Sequence, residues 1–261
     1  MPAATMTRRS LPPPTPAFVL HQHDWSETSL IVELFTRGQG RVAVAAKGAK
    51  RPHSQLRPVL MPFQRLSVSL GAVKDEGAEI HTLRAAEWAG GGPVLPAAAL
   101  FSGFYLNELL LRLLPRADAQ PLLFDAYAGS LPALASGEDT LMQAALRAFE
   151  LLLLRELGLL PTLDLLTAQQ TPLLPSSVYS LRPELGLVAA AMADNGLTGR
   201  QWSDIQQALD DGELVALQLA CAQALPALKT TSRGLLHYHL GSARLRTREV
   251  MIDAQQWMER G

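Results

Sequence analysis

Residues 37–65 read RGQGRVAVAAKGAKRPHSQLRPVLMPFQR. A turn, a strand and a loop of structure breakers follow one another directly. Arg37-Gly38-Gln39-Gly40 is the turn, and 41–46 is the strand, with Val42 and Val44 alternating against small residues. Gly48 and Pro52 then end regular structure and leave Lys47, Lys50 and Arg51 on a loop. The stretch carries seven cations (Arg37, Arg41, Lys47, Lys50, Arg51, Arg57, Arg65) and no Asp or Glu. Uncompensated charge at this density fits a polyanion, because Lys and Arg in a groove displace the counterions condensed on a phosphate backbone. The plain alternative is a solvated loop that keeps the protein soluble.

Outward from this stretch, four more segments have strand character. Residues 17–23 open with Phe18, Val19 and Leu20. In 28–36 Leu30, Val32 and Leu34 share a face, in 63–70 Leu66, Val68 and Leu70 alternate with Arg65, Ser67 and Ser69, and 76–85 centres on Ile80 and Leu83. Five short strands joined by glycine turns and one basic loop fit a small closed barrel. The OB-fold is the commonest five-stranded form and often holds single strands; an SH3-like barrel or a plain sandwich fits the pattern as well. Phe35 and Phe63 flank the basic stretch and could stack on bases, but filling the barrel core is the simpler use for both.

Gly90-Gly91-Gly92-Pro93 marks a boundary, and beyond it the apolar period becomes helical. Helices are expected over 96–114, 118–135 with a break at Pro132, 139–157, 203–209, 212–225, 229–240 and 248–258. Residues 151–154 are apolar on every side, which places the third helix at the centre of the core. Between 161 and 199 the signal weakens, with a small hairpin around 178–188. The expected organisation is α+β: a disordered Pro-rich tail over 1–16, a barrel over 17–88 and an all-helical domain over 93–261.

The net charge of −1 hides a strong asymmetry: +6 over 1–70, −10 over 71–225 and +3 over 226–261. A basic front and a basic end around an acidic middle point to nucleic acid engaged by part of the surface. No apolar run reaches the ~18 residues of a membrane span, and the N-terminus lacks the apolar segment of a signal peptide. The single cysteine, Cys221, rules out an intrachain disulfide and a cysteine-rich zinc site. A soluble cytoplasmic protein is expected.

No catalytic constellation emerges. GxSxG, GxxxxGK[ST] and HExxH are all absent, and Gly48-Ala49-Lys50 is only a fragment of a phosphate loop. The pairs His21/His23 and His237/His239 lack carboxylate or thiolate partners at metal-ligand spacing, so no metal and no cofactor are expected. Asp24 and Glu27 read as a turn, and Cys221 as an inert core thiol. A second basic cluster is a further candidate site. Lys229 and Arg233 share a helix face, and Arg244, Arg246 and Arg248 alternate through a linker that would align them if extended. Capping of a helix end is the competing reading of these cations.

The order of segments resembles the RecO family of bacterial recombination mediators. The matching residues are Ala17-Phe18-Val19-Leu20, Glu27-Thr28-Ser29-Leu30, Glu33-Leu34-Phe35-Thr36, Gly40-Arg41-Val42, Ala46 to Arg51 and Pro62-Phe63, then 100–109 (LFSGFYLNEL), Phe149-Glu150, Glu156-Leu157-Gly158, Asp164 and His239-Leu240-Gly241 with Leu245 and Arg248. The resemblance implies an N-terminal OB-fold followed by a helical domain, and a non-enzymatic protein that binds single- and double-stranded DNA and anneals complementary strands. It also implies contact with the tail of the single-strand-binding protein, and loading of the recombinase at gaps together with a RecR-type partner, in association with the nucleoid. Arg41, Lys47, Lys50 and Arg51 match the family's cationic barrel surface. Many members carry a four-cysteine zinc module after the position of Asp164; residues 165–181 contain no cysteine, so a shortened or hairpin-like segment without zinc is expected.

Overall fold

The computed structural model describes residues 13–71, 79–90, 92–190, 196–241, 245–247 and 249–250. Most of the tail expected over 1–16, most of the last helix expected over 248–258, and the start of the strand expected over 76–85 lie outside these residues.

Five strands close a barrel: β1 (Thr15–Asp24), β2 (Leu30–Thr36), β3 (Gly40–Ala46), β4 (Leu66–Leu70) and β5 (Ile80–Trp88), in the order β1-β2-β3-β5-β4. All pairings are antiparallel except β3 with β5, where Ala43 faces Ile80 and Ala45 faces Thr82. β1 begins at Thr15, inside the stretch expected as tail, because Thr15 and Pro16 pair with Val68 and Ser67. The alternation read from the sequence holds. Val19, Val32, Leu34, Val42, Val44, Leu66, Val68 and Leu83 form the barrel interior. At the β2–β3 turn, Gly40 has φ +65° and a Cβ there would lie 1.7 Å from the Asp118 carbonyl oxygen, so only glycine fits. A four-residue helix, α1 (Leu56–Val59), follows the basic loop, and Leu56, Val59 and Leu60 pack into the barrel interior.

The opposite face is also buried in the first half of β1 (residues 17–20) and in the second half of β2 (residues 32–36). Phe18 and Phe35 leave the barrel and pack on Phe124, with ring centroids 5.2 and 5.5 Å away. Phe63 meets Phe104 at 5.0 Å. Phe35 and Phe63 are thus core residues, in the layer between barrel and helices rather than in the barrel interior expected for them. That layer is formed by α2 (Ala97–Leu113) and α3 (Pro121–Ala135). A buried polar clamp fixes the docking: Asn107 Nδ2 donates to the carbonyls of Val19 (3.4 Å) and Leu20 (3.1 Å), and Tyr127 Oη donates to Asn107 Oδ1 at 2.6 Å. Such a network is favourable only when every member is paired, and this arrangement pairs them.

α4 (Asp139–Glu156) runs through the middle of the helical region with Leu151, Leu153 and Leu154 buried, as its all-round apolar run required. α3 is not broken at Pro132, which sits inside the helix; the missing N–H costs one bond near the end of the element, where packing of Leu131 and Leu134 holds it. α5 (Gly199–Asp211), α6 (Leu214–Ala222) and α7 (Leu225–Leu240) complete the bundle. α5 starts earlier than expected because Thr198 and Gln201 form a reciprocal capping box.

The C-terminal region is helical in its main elements but carries five short strands that an all-helical reading omits. The expected hairpin is β8 (Val178–Arg182) with β9 (Gly186–Ala189); β10 (Leu197–Thr198) adds to β8, and β6 (Leu165–Leu166) pairs with β7 (Thr171–Pro172). Two-residue strands leave no period to read. Leu163, Tyr179, Leu181, Leu187 and Leu197 of this segment pack with Trp202 into the main core, and the Trp202 indole donates to the Tyr179 carbonyl at 3.2 Å. These apolar contacts hold the expected hairpin against the helices.

Candidate nucleic-acid interface

The strand register sorts the seven cations of the first basic stretch between the two ends of the barrel. One end carries the β2–β3 turn and faces the helices. There Arg37 pairs with Asp125 through three hydrogen bonds of 2.8–3.3 Å. Arg41 is half-buried, and its guanidinium donates to the carbonyl of Leu111 in the last turn of α2. Burial pushes the Arg41 pKa down, and nearby Arg116 adds to this while Glu33 opposes it. Arg37 is exposed but paired, and Arg41 is half-buried with its guanidinium on a carbonyl. Arg116, which the charge pattern did not single out, completes this face by bridging the buried Glu33 of β2 and Glu79.

The other end is where β1, β3 and β5 finish and β2 and β4 start. It carries the β1–β2 turn, the loop after β3, α1 and the approach to β4. Lys47, Arg51, Arg57 and Arg65 are all exposed here, with no ion pair to any acid among the described residues. Gly48 has φ +73°, which turns the chain so that the Arg51 side chain lies over it, 3.5–3.8 Å from where a Cβ would stand. Lys50 differs from its neighbours. It is 33% exposed, pairs with Asp24 at 3.0 Å and donates to the Ser26 carbonyl at 3.1 Å, so it staples the loop to the β1–β2 turn.

Two aromatic residues on this end were not singled out from the sequence: Trp25, 55% exposed in the β1–β2 turn, and Trp88, 61% exposed at the end of β5. A tryptophan at a strand end next to a glycine-rich boundary was the signal available for Trp88. Arg84 is a further exposed cation on β5 outside the basic stretch.

The second basic cluster is only partly assembled. Lys229 and Arg233 are exposed on α7, one turn apart as expected. Arg244 and Arg248 lie outside the described residues. The extended linker does not hold at Arg246, where a helix begins. The Glu108 carboxylate supplies the cap for that helix from α2, accepting from the backbone N–H groups of Arg246 (2.8 Å) and Thr247 (2.9 Å) and from the Thr247 hydroxyl (2.7 Å). Burial would push the Glu108 pKa up, but these bonds and the charge of Arg112 outweigh it and hold the carboxyl below its usual value. His21 and His23 stack edge to face at 4.4 Å, and no group of three or more His, Cys, Asp or Glu placed to hold a metal occurs among the described residues. No described helix is long and apolar enough to cross a membrane.

A closed five-stranded barrel of OB type docked on a helical region places the protein in the class of OB-fold proteins, whose barrels hold oligonucleotides or oligosaccharides. Comparison with known proteins gives the family. The model for the Recombination protein O N terminal domain matches residues 14–91, and that for the C terminal domain matches 97–249. DNA repair protein RecO of Verminephrobacter eiseniae is 53% identical over 242 residues, covering 92% of this chain and 95% of the relative. That of Polaromonas sp. is 52% identical over 242 residues (92% and 96%), and that of Variovorax paradoxus 51% over 249 residues (92% and 95%). The chain belongs to the RecO family of DNA repair proteins.

Proposed function

We propose that this protein is a non-enzymatic recombination mediator that binds single- and double-stranded DNA through the barrel (17–88) and anneals complementary strands. The observation that carries this reading is the group Lys47, Arg51, Arg57 and Arg65, exposed on one barrel end without acidic partners among the described residues, in a chain whose net charge is −1. Contacts of this kind go to phosphates and carry little base specificity. Neutralising two strands on one surface lowers their repulsion, which is what annealing requires. In this reading the acidic helical domain (93–261) takes the protein partners, the single-strand-binding protein tail and a RecR-type partner, so that the recombinase is loaded at gaps in the cytoplasmic nucleoid. Fluorescence anisotropy of labelled single-stranded DNA between about 50 and 200 mM salt tests it. Tight, sequence-indifferent binding that collapses with salt is expected; absence of binding at low salt refutes it.

One observation favours a second reading, an adaptor for acidic peptide tails with incidental DNA contact. A cleft of about 450 Å³ opens between β1, α2 and the C-terminal segment; Leu20, Phe101, Phe104 and Leu111 line it together with Arg246 and the Arg112–Glu108 pair. Docking of a short tail there would show a shallower salt dependence than phosphate binding.

A further inference from the structure

Trp88 is the last residue of β5, paired with Leu66 of β4, and its indole is 61% exposed. A lone exposed apolar residue is ordinary on a protein surface. This one is held in place: its Nε1–H donates to the Val59 carbonyl at 3.3 Å, and the next backbone N–H, of Ala89, donates to the Arg65 carbonyl at 2.9 Å. The two segments that hold the ring each carry an open cation, Arg57 two residues before Val59 and Arg65 itself. The indole is therefore a pre-oriented π-face between two segments that carry cations, with the exposed Glu87 preceding it on β5. This arrangement suits an unpaired nucleotide: the phosphates can meet the arginines while any base, whatever its sequence, stacks on the ring. Duplex bases are already stacked on one another and offer no free face.

We infer that Trp88, held by the segments that carry Arg57 and Arg65, is a base-stacking platform that lets this protein distinguish single-stranded DNA from duplex. The inference rests on the DNA-binding reading above and adds a specificity-determining residue to it. Affinity is measured by anisotropy for three probes, oligo-dT, an abasic deoxyribose-phosphate strand of the same length, and duplex, with the wild type, W88F and W88L. Loss of the ring is expected to weaken oligo-dT binding about fivefold to 150-fold, the worth of one stacked base. Abasic-strand and duplex affinities should stay the same, and W88F should retain most of the oligo-dT affinity. W88L keeps apolar bulk without a π-face, so a merely structural role would leave it equal to W88F on oligo-dT. Equal oligo-dT affinity in W88L and W88F overturns the platform while leaving DNA binding intact. A parallel loss on all three probes in W88L also overturns it, since that is damage to the fold or the phosphate surface. A wild type that binds none of the probes, or binds an acidic peptide through Trp88 instead, removes the DNA-binding reading as well.

Discussion

Removing Arg41 and removing the pair Lys47 and Arg51 should damage different properties of this protein. Arg41 is half-buried and donates to the Leu111 carbonyl, one of the last in α2. R41A leaves that carbonyl without its charged donor at the contact between barrel and helices, which costs about 1–3 kcal/mol. A chain near this size loses roughly 2–4 °C of Tm per kcal/mol. Lys47 and Arg51 are exposed with no ion pair among the described residues, so K47A/R51A should leave stability within about 0.5 kcal/mol of wild type. Binding should reverse the order. Each phosphate contact adds about 0.7 to the log–log salt slope for a single strand, so four open cations give a slope near −2.8 and the double variant about −1.4. Between 50 and 200 mM salt, the wild type would then lose about 50-fold in affinity and the double variant about sevenfold. Thermal unfolding and anisotropy on the same preparations read both properties. An R41A protein with wild-type Tm and a halved slope, or a K47A/R51A protein with an unchanged slope, refutes the division of the barrel into a docked end and an open end.

Four further outcomes follow from particular contacts. K50A should lower the salt slope less than K47A, because Lys50 is already paired with Asp24; D24N, which releases it, should tighten DNA binding in the same anisotropy assay. Y127F should destabilise the protein by about 1–2 kcal/mol in urea with an unchanged m-value, since burial keeps the phenol protonated and its proton is the donor to Asn107. E108A should speed tryptic cleavage at Arg246; in the wild type the cap is present at neutral pH, and because the Glu108 pKa is held below its unfolded value, the contribution is lost as pH falls through that depressed value. Cys221 is buried, which pushes its thiol pKa up to about 12, so thiol reagents should label it only under denaturing conditions.

The sequence made the barrel legible because Val32/Leu34, Val42/Val44 and Leu66/Val68 keep a strict period of two. It made the centrality of α4 legible because four leucines in a row leave no polar face. The loop cations were legible as a group, but their division into docked and open sets was not. That division depends on Asp125, 88 residues away from Arg37, and on a helix carbonyl that the composition of the basic stretch cannot show. α1 escaped notice because four residues around Pro58 make no helical period. Trp88 escaped because its exposure is decided by where β5 ends, and the strand runs to residue 88 rather than 85. The Arg244–Arg248 alternation misread Arg246, whose helical start is set by a carboxylate on another element.

The segment after Asp164 has its own consequence. Leu163, Tyr179, Leu181, Leu187, Leu197 and Trp202 close it by apolar contact, and no cysteine lies between 165 and 181. Folding held by thiolates and a metal is linked to proton, chelator and oxidant activity. Folding held by hydrocarbon is linked instead to temperature, through the heat capacity of hydrated apolar surface. This part of the molecule should therefore respond to heating and cooling, while changes in redox potential pass it by.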